Sequence, residues 1–181
     1  MTDYSNLDDS QLIQHARQDA RAFDVLYHRY LPRLYRYCLQ KVNDVHMAED
    51  ISAQVFFEVL NGLMNGKYKE HGCFVAWLFS ITRRRLVDHY RKPEVEPLQE
   101  SHPHDPEISR QVEDRDEKKQ LTQLILDLDD ARQELIRLRF AAELSFEEIA
   151  LIDGRTTAAV KMDVYRTLDQ LRFRWEQTYG K

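Results

Sequence analysis

Glycine and proline are scarce in this sequence, with five of each among 181 residues. Both residues interrupt helices, so their scarcity favours long α-helices. Cys38 and Cys73, the only cysteines, provide no disulfide framework and no Cys-x-x-Cys metal spacing, and we expect reduced thiols. No apolar run approaches the roughly 18 residues of a membrane-spanning helix, and the acidic amino terminus does not resemble a signal peptide. We therefore expect a cytoplasmic protein without membrane insertion.

The sequence also lacks the signatures of common catalytic sites. Its seven histidines form no His-Glu-x-x-His, and no Gly-rich phosphate loop or Gly-x-Ser-x-Gly elbow is present. His102 and His104 lie close together, but a solvated pair in an acidic stretch explains them better than a metal site. We predict that the protein is not an enzyme and has no metal or cofactor.

The net charge of -5 is unevenly distributed along the chain. Residues 1–92 contain 13 Lys and Arg against 11 Asp and Glu, whereas residues 93–120 contain 4 against 9. Four of the five prolines lie within residues 93–106 among four acidic residues, and such a composition cannot form a core. We predict an all-α protein with two small helical domains, 1–92 and 107–181, joined by a flexible, Pro-rich acidic linker over residues 93–106.

Local signals predict several helix boundaries in the first domain. Asp8, Asp9 and Ser10 offer capping side chains for a short first helix, and a second helix extends to about Val42 with a kink at Pro32. A third helix begins near His46. Asn61-Gly62 and Asn65-Gly66 predict turns after it.

The segment from Phe74 to Lys92 combines an amphipathic helical pattern with dense positive charge. It contains no Gly or Pro, and Pro93 follows it. Five cations lie within a few turns of three aromatic residues, namely Arg83, Arg84, Arg85, Arg91 and Lys92 with Trp77, Phe79 and Tyr90. Aromatic faces beside fixed positive charge suit nucleic acid. A core helix with a solvated basic end explains this stretch alone equally well.

The second domain contains the pattern of a helix-turn-helix. Ser145 and Glu148 have the spacing of a capping box, which predicts a helix amino terminus. Asp153-Gly154 ends this short helix, and another helix begins near Thr156. Two short helices around a glycine turn are typical of DNA-binding motifs, although an ordinary helical hairpin gives the same pattern.

Three segments together resemble the extracytoplasmic-function (ECF) subfamily of bacterial RNA polymerase sigma factors. They are Ala48–Leu60, Phe74–Lys92 and Leu144–Arg172, in that order. The resemblance implies a protein that binds core RNA polymerase and directs promoter-specific transcription initiation. It also implies that promoter DNA is read at a minus-10 and a minus-35 element and that strand opening is promoted. Such proteins are often held inactive by an anti-sigma factor, which is therefore a candidate partner.

The resemblance assigns roles to three sets of residues. Core-polymerase docking is implied for Asp50, Gln54 and Phe57. Minus-10 recognition and melting are implied for Lys67, Tyr68, Trp77, Arg83, Arg84, Arg85 and Arg91. Minus-35 recognition is implied for Arg155, Thr156, Thr157, Lys161, Tyr165 and Arg166.

Four positions depart from the family pattern. Arg84 replaces the usual Asn, Asp163 lies where a basic residue is common, Asp129 replaces the usual Pro, and Gln133 replaces the usual Arg. A carboxylate in a recognition helix repels phosphate, although it can accept a hydrogen bond from cytosine N4. The promoter sequence stays open for this reason. Two other functions also stay open: a conventional helix-turn-helix repressor or activator, and a protein-interaction module that has lost promoter reading.

Overall fold

The structure, a computed structural model, describes residues 3–68, 73–91 and 112–179, without the side chains of residues 91 and 112–116. None of the described residues forms a β-strand, which confirms the all-α prediction. The predicted linker, residues 93–106, lies outside the described residues. Within the described ranges, no helix is both long enough and apolar enough to cross a membrane.

Among the described residues, four helices form the amino-terminal part of the fold. They are α1 (Asp9–Ala16), α2 (Ala20–Val42), α3 (Val45–Met64) and α4 (Phe74–Arg91). An aspartate precedes each of the first three helices and accepts a hydrogen bond from a first-turn amide: Asp8, Asp19 and Asp44. Such caps satisfy amides that have no partner inside the helix, so these boundaries follow from local sequence.

Pro32 lies inside α2, which continues to Val42 as predicted, and Leu34 and Tyr37, both fully buried, hold the second half of the helix against the core. The kink at Pro32 stays a prediction. One predicted turn is wrong. Asn61-Gly62 is not a turn, because α3 runs to Met64. Gly62 instead permits a close approach, since a Cβ at this position would lie 2.7 Å from Cζ2 of Trp77. The turn predicted at Asn65-Gly66 is present, and Gly66 has a φ of 65°.

In residues 112–179 the structure describes four further helices and a π-helical turn. They are α5 (Val112–Leu126), α6 (Asp130–Ile136), the π-helical turn (Arg137–Ala141), α7 (Phe146–Asp153) and α8 (Thr157–Tyr179). The capping box of Ser145 and Glu148 is confirmed at the start of α7. Gly154 ends α7 with a left-handed φ of 64°, as the sequence predicts.

One buried apolar cluster contains residues from both predicted domains. Leu34 and Phe79 lie in the same cluster as Leu138 and Ile149, and all four side chains are fully buried. A smaller cluster joins α5 to α8. Burial of one such side chain contributes about 1.5–3 kcal/mol to folding, so the two parts stabilise each other. The division into two domains itself stays a prediction.

Leu138→Ala tests this shared core. The substitution should lower the free energy of unfolding by about 2–5 kcal/mol, because it leaves a cavity where α2 meets the π-helical turn. Denaturant unfolding followed by circular dichroism measures the loss. Leu151, which is 59% exposed, provides the control, and Leu151→Ala should change stability by no more than about 0.5 kcal/mol. Equal losses in both variants would contradict a core shared in solution.

Candidate functional site

The residues predicted to dock on polymerase lie on the outer face of α3. Asp50, Gln54 and Phe57 are spaced by four and three residues, which places them on one side of the helix, and all three are exposed. Phe57 is 69% exposed. Met64 continues the row and is 58% exposed, a residue that sequence reasoning missed although its spacing of seven from Phe57 was available. Exposed Phe and Met side chains on one face are typical of a protein-binding surface.

Aromatic residues of the predicted minus-10 surface pack on one another. The Tyr68 ring lies 5.0 Å from that of Trp77 and 6.2 Å from that of Phe74, measured between centroids. Tyr68 is only 6% exposed, so its ring is not on the surface where a DNA base could stack. Trp77 is half-buried, whereas Lys67 is exposed.

Arg84 and Arg85 converge on a single carboxylate of α3. Arg85 donates to Oε2 of Glu58 from Nε at 2.9 Å and from Nη2 at 2.7 Å, and Arg84 donates to Oε1 of the same side chain. The arginine side chains remain 58% and 37% exposed, respectively. Such exposed pairs contribute about 0–1 kcal/mol each, so Glu58 orients the two cations more than it stabilises the fold. Sequence reasoning missed Glu58 because it lies more than twenty residues before its partners.

Arg83 is directed away from this pair, toward the carboxy-terminal helices. Its Nε lies 3.4 Å from Oε1 of Glu134, and its Nη2 lies 2.9 Å from Oδ1 of Asp153. The guanidinium of Arg83, which was predicted to contact the minus-10 element, is therefore paired with these two carboxylates instead. The side chain of Arg91, at the end of α4, lies outside the described residues, and its role stays a prediction.

The residues predicted for the minus-35 element lie in the first half of α8 and immediately before it. Lys161, Tyr165 and Arg166 are exposed on α8. The Thr156 hydroxyl accepts a hydrogen bond from the amide of Ala159 at 3.3 Å, which caps the helix.

Asp163, which lies where the family commonly has a basic residue, forms an ion pair within the chain. Arg155 donates to Oδ2 of Asp163, and both side chains are about one-third exposed. Thr157, the first residue of α8, is half-buried beside them. Asp163 therefore neutralises a neighbouring cation of the same candidate surface. The structure brings all six predicted residues together, while their DNA contacts stay predictions.

Comparison with known proteins identifies the family. Residues 26–94 match the Sigma-70 region 2 family. The ECF RNA polymerase sigma factor ShbA of Streptomyces griseus is 30% identical over 175 residues, which cover 88% of this chain and 90% of ShbA. The ECF RNA polymerase sigma factor BldN of Streptomyces coelicolor is 29% identical over 173 residues, 89% of this chain and 63% of BldN.

A solved structure supports the same fold. The structure of CnrH in complex with the cytosolic domain of CnrY has a TM-score of 0.67 at 21% identity, over 94% of this chain and 98% of that chain. The chain thus has the helical fold of CnrH. The sequence match to ShbA shows that it belongs to the ECF family of RNA polymerase sigma factors, which direct transcription initiation at promoters. The family and general function predicted from the three segments are confirmed.

Gly62→Ala tests the packing of Trp77 on α3. Alanine is favoured over glycine in a helix by about 1 kcal/mol, but the new Cβ would lie 2.7 and 2.8 Å from two atoms of the indole. We expect a net destabilisation of about 1–2 kcal/mol, because the rigid ring must move. Denaturant unfolding and the emission spectrum of Trp77, recorded in a Trp175→Phe background, measure both effects.

Asn61→Ala provides the neighbouring control, because Asn61 is exposed on the same helix. It should leave the emission of Trp77 unchanged. A Gly62→Ala protein more stable than the parent, with the same emission, would mean that the indole does not contact α3 in solution.

Proposed function

We propose that this protein binds core RNA polymerase through the outer face of α3 and guides it to promoters through two DNA-reading surfaces. The observation that carries the proposal is the position of Glu58. Glu58 directly follows Phe57 in α3, its side chain is half-buried, and it pairs with both Arg84 and Arg85 on α4. The polymerase-docking surface and the proposed minus-10 surface are thereby adjacent, so docking on one fixes the other relative to the polymerase.

The proposed minus-10 surface consists of the exposed cations at the end of α4 with Lys67 and Trp77 beside them. Arg84 and Arg85 contact phosphate, since an exposed guanidinium can exchange a carboxylate for a phosphate of similar geometry. Tyr68 must leave its packing against Trp77 before it can stack on a base. The aromatic role of this surface therefore depends on a rearrangement during strand opening.

The proposed minus-35 surface is the exposed half of α8. Lys161 and Arg166 bind the phosphate backbone. Thr156 and Thr157 precede them at the start of the helix, and Tyr165 lies between them along α8. Asp163 holds Arg155 across the start of the helix. It is therefore an orienting group for a cation, and its carboxylate does not face DNA phosphate unpaired.

The free-energy cost of opening promoter DNA requires the contribution of the polymerase. Opening about ten base pairs costs on the order of 10–15 kcal/mol, at about 1.4 kcal/mol per stacking step. Aromatic stacks of about 1–3 kcal/mol each offset only part of this cost. The protein acts by binding rather than by catalysis, and we place it in the cytoplasm with the transcription machinery. An anti-sigma factor is a further proposed partner, on family resemblance alone.

Gel shifts with and without core polymerase test the proposal. We expect weak duplex binding by the isolated protein and a specific promoter complex only after core is added, because melting exceeds what this chain supplies alone. Run-off transcription identifies the start sites. A tight, specific shift without core would favour a conventional repressor or activator. Capture by core without any initiation would favour a protein-interaction module.

Replacing Arg84 and Arg85 together by Ala tests the minus-10 surface. A hydrogen bond to a charged group contributes about 1.5–3 kcal/mol, so open-complex formation should fall at least about tenfold, as measured by permanganate reactivity of unpaired thymines. Core binding in a pull-down should be unchanged. Arg21→Ala with Arg172→Ala removes the same charge from exposed positions elsewhere and should be neutral in both assays. Loss of core binding would instead mean that these arginines support the docking face through Glu58.

A further inference from the structure

Four cations of α2 and α4 form one surface, which we name the basic face. They are Arg33, Arg36, Lys41 and Arg83, and none has a role in the proposed function except Arg83. The three on α2 extend along about 12 Å of helix, at 1.5 Å per residue. Arg83 directly precedes Arg84 and Arg85, so the basic face continues the proposed minus-10 surface.

Carboxylates of the carboxy-terminal part of the fold cover this surface, and we name them the acidic edge. They are Glu134, Glu143, Glu148 and Asp153, and each forms an ion pair with the basic face. Arg36 lies 2.6 Å from Glu143, Lys41 lies 3.0 Å from Glu134, and Arg33 lies 3.3 Å from Glu148. Each cation of the basic face is therefore paired with a carboxylate of the acidic edge.

Backbone carbonyls of residues 141–143 also take part in the contact between the basic face and the acidic edge. Arg33 also donates to the carbonyls of Ala142 and Glu143 at 2.9 and 3.0 Å, and Arg36 donates to that of Ala141 at 3.0 Å. Glu143 has a positive φ of 53°, a conformation that side chains other than glycine rarely adopt. The free-energy cost of this backbone conformation is offset because both the carbonyl and the carboxylate of Glu143 bind cations of the basic face.

Glu134 is the most enclosed member of the acidic edge, with a side chain 18% exposed. Burial alone would raise the pKa of this carboxyl, but hydrogen bonds from Tyr37 and Lys41 and the charge of Arg83 lower its pKa overall. The group therefore stays ionised at neutral pH. It presents a fixed negative charge to Lys41 and Arg83.

A guanidinium binds carboxylate and phosphate oxygens with the same planar fork of donors. We infer that the acidic edge substitutes internally for DNA phosphates, and that the basic face is a second DNA-backbone surface uncovered when the carboxy-terminal helices move away. The inference rests on the proposed function, because it extends the proposed minus-10 surface. Phe57 and Gln54 stay exposed in the covered arrangement, so docking on polymerase can precede uncovering.

Glu134→Gln combined with Asp153→Asn tests the inference, since these changes remove both ion pairs of Arg83 while preserving side-chain shape. Small-angle scattering should show a radius of gyration above that of the parent protein. Anisotropy of a fluorescein-labelled, random-sequence 20-base-pair duplex should show about tenfold tighter binding. The log–log salt dependence should steepen by about 0.9 for each additional phosphate contacted, and so by up to about 3.6 for the four cations of the basic face.

Asp169→Asn with Glu176→Gln is the matched control, because it changes the net charge equally at exposed positions of α8. It should bind the duplex within twofold of the parent. Adding Arg33→Gln and Arg36→Gln to the test variant should remove the gain, which assigns that gain to the basic face. If thermal melting shows that the double variant does not fold, Asp153→Asn alone supplies a milder test.

Three results would overturn the inference: a test variant that does not expand, an expanded variant without tighter DNA binding, or a gain that survives loss of Arg33 and Arg36. A change in affinity for core polymerase alone would assign the basic face to the polymerase instead. Run-off transcription by the parent protein is measured in parallel. A further result is tighter DNA binding by the variant while the parent protein supports no core-dependent initiation. That result would reject the proposed function but would still support the basic face as a DNA-binding surface.

Discussion

The ionised carboxylate of Glu134 is the interaction on which the arrangement of the two halves depends. It lies between Tyr37 and Lys41 of α2 and Arg83 of α4, in surroundings that exclude most water. A buried charge without partners costs several kcal/mol, so α6 is held where those partners converge. Movement of the carboxy-terminal helices must therefore rehydrate several charged groups together with the apolar surface beneath them. The contact is cooperative for this reason.

Helix α4 links the surfaces of the molecule because its three consecutive arginines project in different directions. Successive side chains of an α-helix are separated by about 100°, so Arg83 faces the carboxy-terminal helices while Arg84 and Arg85 reach Glu58 on α3. The proposed polymerase-docking surface, the proposed minus-10 surface and the contact with the carboxy-terminal helices therefore involve neighbouring groups.

Much of the fold was predictable because helix ends depend on contacts within four residues. The cap before α1, the capping box of Ser145 and the end of α7 at Gly154 are local features, and the sequence predicts each of these boundaries. The order of three segments also identified the family, since motif residues and their spacing are properties of the chain alone. Candidate site residues followed from that resemblance, and their placement on exposed faces of α3 and α8 agrees with helical periodicity.

Tertiary structure alone decided which of these residues are accessible and which are paired. Gly62 has the sequence signature of a turn, and only the approach of Trp77 explains why it lies inside a helix. Glu58 and Glu134 carry no local signal, because their cationic partners lie far away along the chain. Sequence by itself thus determined the helices, the family and the candidate residues through short-range hydrogen bonding and periodicity. Long-range packing decided that Tyr68 is buried and Arg83 covered, because burial and ion pairing depend on elements that only folding brings together.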